Sequence, residues 1–163
     1  MTSKKITRTA VLITVAVLLG YIESLFPPVV PVPGIKLGIA NAVVIMLLYA
    51  DKAKTAWTVS LIKVGLCSLL FGSVTSLIYS FSGAVLSLAL MALAKKLRFF
   101  SMVGVSSLGG IMHNMAQILC AYIILGKGVL FYIPPLFISG AVCGVLTGIA
   151  AQTIIKRGSG LFE

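Results

Sequence analysis

Residues 76–98 read SLIYSFSGAVLSLALMALAKKLR: an uncharged run from Ser76 to Ala94, then Lys95, Lys96 and Arg98. A helix needs about 20 apolar residues to cross the hydrocarbon core of a bilayer. Lys and Arg beside its end stay on the cytoplasmic side. The stretch therefore reads as a transmembrane helix with its C-terminal end inside.

Working outward, five further apolar runs appear: Ile6–Leu25, Leu37–Ala50, Thr55–Phe71, Phe99–Leu125 and Val129–Ile155. Leu37–Ala50 is short, and must borrow residues from Val32–Lys36 or cross a thinned region. Basic residues fill alternate gaps. Lys4, Lys5 and Arg8 precede the first run, Lys52 and Lys54 follow the second, and Lys156 and Arg157 follow the sixth. With Lys95, Lys96 and Arg98 these make ten of the thirteen on one side, against only Lys36 and Lys127 in the opposite gaps. The expectation is an all-α, multi-pass membrane protein of six spans in one domain, with both termini inside.

Composition narrows the function classes. The formal net charge of +10 is explained by topology and anionic headgroups at the inner leaflet, so no nucleic acid is expected as a partner. The basic, apolar start resembles a signal peptide, but Gly20–Ser24 runs into a proline-rich loop with no small-residue cleavage site. Cys67, Cys120 and Cys143 match no metal or redox spacing and read as small hydrophobes. Only Glu23, Asp51 and Glu163 are acidic. No cluster of carboxylates can hold magnesium against a diphosphate, and no phosphate-binding Gly-Lys-Ser/Thr loop is present. The chain reads as a non-enzyme, with no cofactor and no metal.

The first outer loop, Phe26–Ile35, holds Pro27, Pro28, Pro31 and Pro33 and should form a stiff, non-helical cap. Gly72–Thr75 is so short that spans three and four must form a tight outer hairpin. Gly140, Gly144 and Gly148 place small residues on one face of span six, for helix packing or a partner. Ala10, Thr14 and Ala16 form a lesser series on span one. Pro134 and Pro135 should kink span six or break its outer turn.

Polar side chains inside a membrane are costly and usually face a cavity or the bundle interior. Lys63 lies about 12 Å from the inner end of its run, and Glu23 lies near the outer end of span one. Asn41 is early in span two, and His113, Asn114 and Gln117 share one face of span five by their three- and four-residue spacings. Tyr79, Ser80 and Ser82 join them from span four. These depths converge on a pocket open to the outside and capped by the proline loop. Lys63, His113, Asn114 and Gln117 form its wall, with Lys36, Asn41 and Glu23 at its mouth. A structural ion pair with interhelical hydrogen bonds is the alternative. The positive excess outside suggests an anionic small-molecule ligand.

The strings Pro33–Asn41 (PGIKLGIAN), Phe71-Gly72-Ser73, Tyr79–Ala84 (YSFSGA) and Gly109–Gln117 (GGIMHNMAQ) resemble a bacterial membrane family. It is labelled heptaprenyl diphosphate synthase component I or Gx transporter. That family in turn resembles the substrate-binding S components of energy-coupling factor transporters. The resemblance implies six helices in the bacterial cytoplasmic membrane, with an outward-facing site under the first loop. It also implies an ATPase coupling module as partner, although span one offers Ala10-x3-Thr14 where such proteins carry an alanine pair. Neighbouring genes of the family leave prenyl, quinone-precursor and flavin-like ligands open. The other label implies a non-catalytic membrane accessory subunit of polyprenyl diphosphate synthesis, whose partner is a soluble catalytic chain at the cytoplasmic face.

Overall fold

The computed structural model describes residues 3–25, 39–50 and 52–157. Its helices are α1 (Ser3–Leu25), α2 (Ala42–Tyr49), α3 (Ala53–Phe71), α4 (Val74–Leu97), α5 (Met102–Leu125) and α6 (Ile133–Arg157). Short 3-10 segments, Ile39–Asn41 and Lys127–Tyr132, precede α2 and α6. No strand occurs among the described residues. Among the described residues five helices are long and apolar enough to cross a membrane, and their outward faces carry large apolar side chains such as Leu69, Phe81, Ile123 and Leu146.

The shortest apolar run behaves differently from the others. Its helical part, Ile39–Tyr49, spans only about 16 Å at 1.5 Å per residue, half of the hydrocarbon thickness. Val43 to Leu48 are all buried, as a helix apolar on every side requires. Its C-terminal end is pinned where the basic residues gather: Lys95 Nζ donates to the Leu48 carbonyl at 2.8 Å and lies 5.4 Å from the Tyr49 ring centroid. A cation on orphan carbonyls at a helix C-terminus is favourable. The N-terminal end of α2 therefore stops inside the bundle, at middle depth.

Local chemistry sets the other ends. Ser73 caps α4 by accepting from the Ser76 amide at 3.2 Å, and closes the tight α3–α4 hairpin. Ser101 caps α5 through the Gly104 amide, also at 3.2 Å. Arg98 takes a left-handed conformation (φ 58°) to end α4. Pro134 and Pro135 occupy the first turn of α6, where a missing amide costs least. They mark the change from 3-10 to α-helix, and the apolar run that began at Val129 is broken there.

Helices α5 and α6 approach most closely. A Cβ on Gly144 would stand 2.6 Å from both Ser106 O and Ser107 Cα, and one on Gly140 would stand 2.7 Å from Gly110 O. Gly148 faces Val103 and Ser106 in the same way. The glycine face of α6 is thus occupied within this chain. Ser106 and Thr147 hydroxyls, 3.0 Å apart, bridge the same seam. On the neighbouring seam Ser87 Oγ donates to Gly109 O at 2.8 Å. Helix α1 is peripheral, burying Ala16, Gly20 and Glu23 and leaving Ala10 and Thr14 exposed.

Toward the basic end the interior is largely apolar. Val44, Leu48, Leu88, Met91, Val105 and Ala151 form one apolar cluster there. Most buried polar side chains lie in the other half, with Ser60, Ser106 and Thr147 as exceptions.

Candidate functional site

Four of the polar residues singled out in the sequence meet at one cavity. Glu23 of α1, Lys63 of α3, Ser80 of α4 and His113 of α5 line it, together with Gly20, Ala40, Val64 and Cys67. Each of the four is at least nine-tenths buried. The cavity is about 30 Å³, room for about two water molecules at 10–15 Å³ each. One carboxylate, one ammonium, one imidazole and one hydroxyl face the same small space. Its charge lining is therefore balanced rather than purely cationic.

Small residues make this convergence sterically feasible. A Cβ on Gly83 would lie 2.8 Å from His113 Cε1 and 2.9 Å from Nδ1, so the imidazole fills space that only glycine leaves. A Cβ on Gly20 would meet Cys67 Sγ at 2.6 Å. Cys67 Sγ also lies 4.0 Å from the Val17 carbonyl, which sets α1 against α3. Gly20, Cys67 and Gly83 thus shape the site, although none has a chemical signature in sequence. Their trace there is faint: Gly83 lies four residues from Ser87 and three from Ser80, on the buried stripe of α4.

Lys63 reaches inward as well. Its Nζ donates to Asn41 Oδ1 at 2.9 Å, just before the first turn of α2. Lys63 lies ten residues into α3, about 15 Å from that helix's start, so this bond marks the middle depth. Asn41 does not line the Glu23 cavity. It lines a second, smaller one of about 10 Å³ on the other side of the bond, with Ser87, Ser106, Gly109 and Thr147.

The His113–Asn114–Gln117 group is divided by the fold. Asn114 turns to α6, where Nδ2 donates to Leu136 O at 2.8 Å and approaches Ser139 Oγ at 3.4 Å. Gln117 is 0% exposed, and both its amide atoms lack a hydrogen-bond partner among the described residues. The antiparallel register set by Gly83 with His113 and Ser87 with Gly109 places Gln117 one turn further out, opposite Tyr79–Ser80. Ser68 and Ser76 hydroxyls are likewise buried without partners among the described residues. Tyr79 packs with Ala121 and Val129 outside the cavity wall. Lys36, the proline-bearing loop 26–35 and Asp51 lie outside the described residues. Lys127 is exposed on the 3-10 segment before α6.

Replacing Asn114 with leucine removes the α5–α6 hydrogen bond to Leu136 O, and should cost about 1–3 kcal/mol of stability. Chemical denaturation in detergent, followed by circular dichroism, measures it. Unchanged stability together with a lost small-molecule ligand would return Asn114 to a binding role.

The family described as heptaprenyl diphosphate synthase component I matches the chain over residues 12–154, from the first turns of α1 to the last turns of α6. No curated protein and no solved structure matches it.

Proposed function

The chain belongs to the heptaprenyl diphosphate synthase component I family, and from that footing we propose that it is a non-catalytic membrane subunit serving polyprenyl diphosphate synthesis. The match across nearly the whole bundle carries this reading. Three acidic residues in the sequence leave no set of carboxylates to bind magnesium against a diphosphate, so the chemistry belongs on a separate catalytic chain. The surface offered to such a chain is the basic end. There Lys54, Lys96, Arg98, Lys156 and Arg157 are exposed, whereas Lys95 is engaged in holding α2. We place the protein in the bacterial cytoplasmic membrane with that end inside.

Gentle extraction of the tagged chain from its native membrane tests the proposal, with a soluble prenyl synthase chain expected to co-purify. Lys54→Gln with Lys96→Gln should weaken that association about tenfold, equivalent to about 1.4 kcal/mol, while His113→Gln leaves it unchanged. Retention of no synthase chain, or loss caused by the cavity variant instead, sinks the reading.

A second reading is favoured by the cavity itself: capture of a small molecule from the outer side, in the manner of the substrate-binding components of energy-coupling factor transporters. An ATPase coupling module belongs to this reading as a partner. With Glu23 and Lys63 on one wall, the cavity suits a molecule carrying both an acceptor and a donor group better than a simple anion. An organic ligand needs more than the space of two waters, so its entry requires the mouth to open. Native mass spectrometry separates the readings. A small molecule present in the wild type and absent from Lys63→Met supports capture, whereas a ligand-free protein bearing a synthase chain removes it.

A further inference from the structure

The cavity admits about two water molecules, and three groups on its wall are able to carry a proton: Glu23, Lys63 and His113. Ionisable residues gathered within a membrane-spanning bundle commonly mark ion or proton pathways. We propose that this cavity is a proton-exchange site, reached from the end of the bundle where Glu23 lies, with His113 as the group that takes the proton.

Among the described residues, the inner side of the cavity is the closed one. Glu23 lies two residues from the outer end of α1, at Leu25. On the inner side the Lys63–Asn41 hydrogen bond closes the cavity. Beyond it, the chamber lined by the Ser87, Ser106 and Thr147 hydroxyls has room for at most one water. Next comes the apolar cluster of Val44, Leu88, Met91, Val105 and Ala151, whose own side chains carry no proton. Ser80 also lines the cavity and is buried. It is placed to hold water against the imidazole. Gly83 leaves the imidazole room on the α4 side.

The step is simple in balance. A proton from the outer solution passes through cavity water to the neutral imidazole, one N–H bond forms, and His113 becomes a cation. The Glu23 carboxylate on the same wall offsets the new charge, and the Lys63 ammonium opposes it. Among the described residues the other titratable group on the cavity wall is the Cys67 thiol of α3. Among the described residues, α4 and the segment before α2 contribute Ser80 and Ala40 to the wall. The inference goes beyond the synthase-subunit reading and stands without a bound catalytic chain.

The sequence contains a single histidine, so protein labelled with ¹⁵N-histidine gives one pair of imidazole signals. In lipid nanodiscs, with no ligand added, these signals should titrate reversibly between about pH 5 and 8. The midpoint should move to lower pH in Glu23→Gln and to higher pH in Lys63→Met, by about one unit or more. Ser80→Ala, a small change expected to fold, should slow the exchange without moving the midpoint. In sealed proteoliposomes stepped only from outside, the responding fraction should equal the fraction of chains presenting the Glu23 end. An imidazole that keeps one state across this range in folded wild type overturns the proposal, and needs no variant to do so. So does a midpoint that ignores both charge substitutions, or a response that follows the basic end.

Discussion

Gly144→Val should be among the most damaging single substitutions in the bundle, costing about 3 kcal/mol or more. The first carbon of the new side chain would meet Ser106 O and Ser107 Cα at 2.6 Å. Both are backbone atoms of a continuous helix, so neither can swing aside as a flexible side chain does. Relief requires α5 and α6 to separate. That separation stretches the Ser106–Thr147 contact at 3.0 Å, the Ser107–Ala141 hydrogen bond at 3.3 Å and the Asn114–Leu136 hydrogen bond at 2.8 Å. Between membrane helices, where lipid competes for apolar contact, close backbone approach and such hydrogen bonds supply much of the association. Gly65→Ala is the control: a Cβ there has nothing within 4 Å, and alanine is the better helix former. Thermal unfolding in nanodiscs should rank Gly144→Val far below wild type and Gly65→Ala at or above it. Equal stabilities would show that α5 and α6 do not need this approach.

The sequence reading succeeded where a single physical rule dominates. Apolar length and alternating basic gaps locate the long helices, because hydrocarbon thickness and charge placement act on each segment alone. The short second run resisted, because its burial on all sides comes from neighbours distant in sequence. Its shortness was legible, but its anchoring by Lys95 at the Leu48 carbonyl was not. The site shows the same division. Glu23, Lys63, Ser80 and His113 were legible as costly groups at a common depth, and the fold brings them to one cavity. Spacing along α5 could not separate His113 from Asn114, since both are buried and only the positions of α4 and α6 decide which way each turns. The space-making residues, Gly20, Cys67 and Gly83, express their role only through a partner across a helix seam.

The Lys63→Met and Glu23→Gln variants should each destabilise the protein by about 3 kcal/mol, and the double variant by clearly less than their sum. Removing one charge from a buried pair leaves the other uncompensated, at a cost of about 3–5 kcal/mol. Lys63→Met also takes the donor from Asn41 Oδ1, held at 2.9 Å, and so loosens the inner closure of the cavity. When both charges go, the stranded-charge penalty disappears, leaving only the lost hydrogen bond and altered packing. Independent sites add within about 0.5 kcal/mol, so a double-mutant cycle reads the coupling directly. A coupling above 1 kcal/mol means that ammonium and carboxylate stabilise each other across the cavity, and that any ligand must enter an electrically balanced space. Additive losses mean that each charge is satisfied elsewhere, and then Lys63 acts chiefly through Asn41 at the head of α2. The two outcomes assign opposite roles to Glu23. In the first it sets the charge state that His113 and a ligand experience, and in the second it belongs to the seam between α1 and its neighbours.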